Sequence, residues 1–140
     1  PWLVVLAVVL VVLMCPLPGR GPGLISRRDP WRTFKFEARR TVMSRAGGRC
    51  EGTLLLAWVR CRDAAGEADH VYPWSRGGAT VVSNGQAMCR RHNRSKSSVT
   101  PPWWYVLSLQ RRRRHYFPTG ADVRVRAAMS DADRAARSKR

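Results

Sequence analysis

Residues 68–96 read ADHVYPWSRGGATVVSNGQAMCRRHNRSK, and four pieces of that stretch carry most of the information: ADHVYP (68–73), SRGG (75–78), SNGQAMC (83–89) and CRRHNRSK (89–96). A strand ending in Asp69-His70 sends the two side chains to opposite faces, because side-chain direction alternates along an extended chain. Trp74 to Gly78 has the composition of a loop, and a helix is expected to open near Arg90. Taken singly, each residue has an ordinary explanation. His70 reads as a packed histidine, Asp69 as a surface carboxylate, Asn84 as a turn residue and Lys96 as a solvated lysine. Their order and separations as a set are what need explaining.

Working outward, the pattern from about Trp31 to Gly47 is helical. Phe36, Val42, Met43 and Ala46 are expected to share one face, with Arg39, Arg40 and Arg45 pointing outward. Gly47-Gly48 supplies the stop. A β-prone run, Thr53 to Val59, lies between Cys50 and Cys61, and Ala64-Ala65-Gly66 is turn-like. Four cysteines stand at 15, 50, 61 and 89. Cys15, inside an apolar run, reads as a small hydrophobe. The other three cannot close a set of disulfides among themselves, and His92 three residues after Cys89 makes the count one of metal ligands.

The ordered set ADHVYP, SRGG, SNGQAMC and CRRHNRSK resembles the HNH endonucleases of the ββα-metal type, and with its lead-in the resemblance spans roughly Trp31 to Ser98. It implies an α+β fold, a small ββα-metal nuclease domain with a zinc knuckle, preceded here by an N-terminal apolar helix. Hydrolysing a phosphodiester needs a base for water, a divalent ion to offset developing charge, and rigid positioning of both. The resemblance makes His70 the general base, a task suited to an imidazole that titrates near neutral pH. It makes Asp69 a ligand of a catalytic Mg²⁺ or Mn²⁺, and Asn84 the middle asparagine that braces the loop and orients His70.

The last position departs from the common ending, Cys-x-x-Cys followed by His. Here Cys89-x-x-His92 is followed by Asn93. One alignment gives His92 to the knuckle and Asn93 to the catalytic ion; the other gives His92 to the catalytic ion and leaves three cysteines. The first closes a tetrahedral Zn²⁺ site of Cys50, Cys61, Cys89 and His92. Ten residues separate Cys50 from Cys61, against two to four in an ordinary knuckle. Without zinc, the pair would be buried thiols or a disulfide.

At the N-terminus, Trp2 to Leu17 is sixteen residues without a charge, short of the roughly 20 that a helical span needs. Residues 1–18 are read as a membrane-anchor or signal-like segment, with core packing as the alternative. Arg20, Arg27, Arg28 and Arg32 would hold the rest of the chain on the cytoplasmic side. Residues 19–30 form a linker rich in Gly and Pro, 31–100 the nuclease domain, and 101–140 a basic and aromatic extension. In that extension Pro101-Pro102 ends the motif helix, the Trp103-Trp104 pair is expected to pack, and Ser130 caps a short final helix.

The chain has 26 Lys plus Arg against 9 Asp plus Glu, a net +17. Such a balance excludes an acidic disordered chain and argues against cationic substrates; it points to a polyanion, DNA first and an anionic membrane second. Arg94, Lys96 and the run Arg111, Arg112, Arg113 and Arg114 are the expected nucleic-acid contacts. No organic cofactor is expected, since the chain holds no phosphate-binding glycine loop, and no Ser or Cys nucleophile is arranged for catalysis. The alternatives to a nuclease are a zinc-stabilised DNA-binding module that does not cut, and a basic protein of the membrane surface.

Overall fold

The fold is described from a computed structural model for residues 1–14, 28–54 and 59–138. The elements in chain order are helix α1 (Trp2–Met14), helix α2 (Phe36–Arg45), strands β1 (Thr53–Leu54), β2 (Val59–Arg60) and β3 (Glu67–His70), strand β4 (Gly85–Met88), and helices α3 (Arg90–Lys96), α4 (Trp103–Tyr116) and α5 (Asp131–Ser138). Among the described residues two antiparallel pairs make up the sheet content: β1 with β2, and β3 with β4 in the register Glu67↔Met88, Ala68↔Ala87, Asp69↔Gln86, His70↔Gly85. Helices mixed with these small sheets give the α+β class read from the sequence.

Three small apolar clusters hold the fold. Phe34, Val42, Ala46 and Ala87 join α2 to the β3–β4 hairpin. Cys50, Cys61, Met88 and Cys89 form the second, and Val71 with Val106 and Leu109 of α4 the third. The expected face of α2 is corrected at two positions. Phe36 is 82% exposed and Phe34, just before the helix, takes the buried place. Arg45 is buried rather than outward, where its Nη2 donates to the Gly85 carbonyl at 2.7 Å and its guanidinium lies over the Phe117 ring. The helix does stop at Gly47-Gly48, both left-handed, with the Gly48 N–H donating to the Met43 carbonyl.

Pro101-Pro102 do not end the motif helix. α3 finishes at Lys96, and the prolines lead directly into α4, fourteen residues long. Val106, Leu109 and Arg113 are buried along one side of α4 at helical spacing. Arg113, grouped by sequence with the DNA contacts, has no exposed surface. Its Nε donates to Glu51 Oε1 at 2.8 Å, its Nη2 to Glu51 Oε2 at 3.2 Å and to the Gly85 carbonyl at 2.8 Å. Glu51, equally buried, accepts also from Tyr116 Oη and the Ala87 N–H. Burial alone would raise this carboxyl's pKa, but the Arg113 charge and the four donors hold it below the ordinary range.

α1 exposes its apolar side chains from Trp2 to Val11. Among the described residues no helix is long and apolar enough to cross a membrane; thirteen residues reach only about 20 Å of a hydrocarbon core about 30 Å thick. The membrane reading of residues 1–18 is left without support. Cys15 and most of the expected linker, residues 15–27, lie outside the described residues, as do 55–58. Asp29, inside that expected linker, is buried instead.

Candidate active site

β3 and α3 face each other and supply most of the site. Along β3, alternation puts Glu67 and Asp69 on one side and His70 on the other. On α3, Asn93 and Lys96 lie three residues apart and so share a face, the one turned to β3. Asn93 Nδ2 donates to Glu67 Oε2, and Lys96 Nζ bridges Asp69 Oδ2 at 2.8 Å. Two rungs therefore cross from helix to strand. A carboxylate can only accept, so the Asn93 amide is oriented by Glu67 and keeps its Oδ1 for another partner. Asp69 and Asn93 share this face, yet each is bonded to a third residue rather than closed on a common point.

His70 lies at the end of β3 and is 6% exposed. Its ring sits 4.6 Å from that of Phe34, its Nε2 is 2.9 Å from Thr80 Oγ1, and its Nδ1 is 4.0 Å from Asp69 Oδ1. Burial lowers the imidazole below its ordinary 6.5; Asp69 pulls against that shift, and the Lys96 cation adds to it. The outcome is a neutral ring at neutral pH, the form that can take a proton. His70 and Asp69 line a shallow cleft with Arg32, Trp74, Lys96 and Ser97.

Asn84 is fully buried. Its Oδ1 accepts from the Tyr72 N–H at 2.9 Å, while Nδ2 donates to the carbonyls of Tyr72 (3.0 Å) and Ala79 (2.9 Å). One amide thus ties both ends of the loop that follows His70. Gly78 allows this closeness, since a Cβ there would stand 1.9 Å from the Tyr72 carbonyl oxygen.

At the other side of α3, ligand atoms of Cys50, Cys61, Cys89 and His92 all lie within 4.8 Å of one another. The wide separation of Cys50 and Cys61 is explained by β1–β2: the chain goes out and returns, with the Cys61 N–H donating to Gly52 O and the Cys50 N–H to Asp63 O. Backbone N–H groups of Gly52 and Asp63 donate to the Cys50 and Cys61 sulfurs at 3.3 and 3.4 Å. His92 Nδ1 is 3.2 Å from Cys89 Sγ and 3.6 Å from Cys50 Sγ, while Nε2 meets the Thr53 carbonyl at 3.2 Å. Donation from Nε2 leaves Nδ1 as a ligand atom. Gly52 is part of the fit, because a Cβ would come 2.6 Å from His92 Cγ. Burial pushes the bare Cys50 thiol up to about 12, a cost that a bound cation reverses. The donor set suits a tetrahedral metal ion.

Residues 57–98 match the family model for HNH endonuclease. No curated protein and no solved structure matches the chain significantly. The HNH match encloses Cys61, Glu67, Asp69, His70, Asn84, Cys89, His92, Asn93 and Lys96, and it supports nuclease activity at the level of the family. It leaves out α2, Glu51, α4 and α5. His92 stands with the cysteines, and Asn93, next to it, faces Glu67 on β3. Of the remaining basic residues, Arg94, Arg111 and Arg114 are exposed and Arg112 half-buried. Sequence reasoning missed Asp29, Glu51, Glu67 and Thr80. Only Asp29 carried a local signal, the Asp-Pro pair, whose Oδ1 accepts from the Trp31 N–H at 2.8 Å.

Proposed function

We propose that the chain is a metal-dependent endonuclease that hydrolyses DNA phosphodiester bonds, with residues 31–100 as its catalytic unit and 101–140 built onto it. The observation that carries this reading is His70, buried at the edge of a cleft that also contains Asp69 and Lys96. Asp69 and Asn93 Oδ1 are hard oxygen donors of the kind Mg²⁺ and Mn²⁺ take, and two protein ligands leave room for water and phosphate. The ion, when bound, would offset charge on the 3′ leaving oxygen. His70 Nδ1 takes a proton from water as the water oxygen bonds to phosphorus. The P–O3′ bond breaks, the leaving 3′ oxygen takes a proton from solvent water, and the products are a 5′-phosphate and a 3′-hydroxyl. Asn84 holds the loop closed behind His70. Lys96 contacts phosphate, joined by Arg94, Arg111, Arg112 and Arg114 along the backbone. Zn²⁺ at Cys50, Cys61, Cys89 and His92 fixes α3 against the β1–β2 hairpin.

Cleavage of supercoiled plasmid by the full chain tests the reading. Nicking is expected with Mg²⁺ or Mn²⁺, none with EDTA, and none from His70→Ala even though that variant still binds DNA. Intact plasmid from zinc-loaded, DNA-binding protein would instead make this a module that binds without cutting.

A further inference from the structure

Thr80 is 4% exposed, and every polar atom it has is committed. Its hydroxyl donates to the Trp31 carbonyl. Its N–H donates to Asp29 Oδ2 at 2.8 Å, and its carbonyl accepts from Arg137 Nη2 at 2.6 Å. The fourth contact is the 2.9 Å approach of His70 Nε2 to Oγ1. A hydroxyl has one hydrogen. Trp31 O can only accept, so that hydrogen is already spent, and Oγ1 can serve His70 only as an acceptor. His70 Nε2 must then carry the ring's hydrogen, and the lone pair lies on Nδ1, the nitrogen nearer Asp69.

Thr80 is itself held from two distant parts of the chain. Asp29 Oδ1 takes the Arg137 Nη1 donor at 2.6 Å while Oδ2 takes Thr80. The Arg137 guanidinium also lies over the Trp31 ring, 4.4 Å from its centre. Arg137 belongs to α5, whose start is fixed by a reciprocal cap: Asp133 N–H to Ser130 Oγ at 3.2 Å and Ser130 N–H to Asp133 Oδ2 at 2.9 Å.

We propose that Thr80 is a positioning residue for His70, selecting the tautomer whose Nδ1 can accept a proton, and that α5 holds Thr80 in place through Arg137 and Asp29. The second half of the chain's C-terminal extension thereby becomes part of the framework of the site. This inference rests on His70 as the base of the proposed nuclease, but the tautomer can be read without any cleavage.

Long-range ¹H–¹⁵N spectra of the zinc-loaded full chain, at alkaline pH where the imidazole is neutral, distinguish the two nitrogens. The wild type is expected to show a protonated Nε2 and a bare Nδ1. Thr80→Val, nearly isosteric, should mix the tautomers and lower kcat on plasmid about ten- to a hundredfold with DNA affinity unchanged. Thr80→Ser should restore both the spectrum and kcat, and Arg137→Met should shift both in the Thr80→Val direction by less. A wild-type ring protonated on Nδ1, or Thr80→Val with wild-type tautomer and kcat, overturns the assignment. So does a Thr80→Val defect confined to DNA affinity. If the wild type does not cut at all, the nuclease reading fails and the spectrum alone decides the role of Thr80.

Discussion

The last forty residues are tied to the rest of the molecule by two arginine–carboxylate pairs that differ in almost every physical respect. Arg113–Glu51 is fully buried and joins the last turn of α4 to strand β4 through the Gly85 carbonyl and the Ala87 N–H. Arg137–Asp29 sits at the rim, with the arginine side chain 19% exposed, and its other bonds end on Thr80 and hence on His70. A buried pair is costly to break from one side because the surviving charge is stranded in a poor solvent. The carboxylate of the second pair is buried too, but without Arg137 it keeps the Trp31 and Thr80 N–H donors, so losing the arginine costs less stability while Thr80 loses its alignment. The first pair secures the fold and the second is tied, through Thr80, to the His70 ring of the proposed site.

The largest effect should come from the buried pair. Glu51→Ala strands Arg113 and is expected to cost about 3–5 kcal/mol in urea unfolding, while replacing both partners with leucine should recover most of the loss. Arg137→Met should cost less, because the Asp29 carboxylate keeps its Trp31 and Thr80 N–H donors when the arginine is gone. A Glu51→Ala penalty no larger than that of Arg137→Met would break the contrast. The smallest effect is the response to acid. Arg137 and the N–H groups of Trp31 and Thr80 outweigh burial and hold the Asp29 carboxyl below its ordinary range. Its folded pKa is depressed, so its contribution is present above the unfolded value, about 3.9, and is lost as pH falls through the folded one. The stability difference between wild type and Asp29→Asn should therefore shrink steadily below about pH 4; a difference that grew with acid would contradict the pairing.

What could be read from the sequence was local. Gly47-Gly48 as a helix stop, Asp69-His70 at a strand end, and Ser130 as a cap each depend on a few adjacent residues, and the structure holds all three. The cysteines and His92 were legible because four soft donors have few other uses together. The failures are contacts between residues far apart in the chain. Glu51 meets Arg113 across 62 positions and Asp29 meets Arg137 across 108, and no periodicity connects such residues. Arg113 was misplaced with its neighbours because a run of four arginines hides which one falls in line with Val106 and Leu109. Phe36 was misplaced because the buried aromatic precedes the helix, where helical spacing does not apply. Thr80 was invisible since its significance lies in spending one hydrogen.

α3 is only seven residues long, and His92 and Asn93 are consecutive on it. Adjacent residues on a helix point about 100° apart, so the helix is an axle with one spoke in the cysteine cluster and the next against Glu67 of β3. Whatever grips the first spoke indexes the second. An empty cluster leaves the axle free to turn, and a slip of one residue presents His92 or Arg94 where Asn93 belongs. A metal ion in the cluster would thus set where Asn93 stands against β3, and its removal should disturb the Asn93–Glu67 contact before it unfolds the chain.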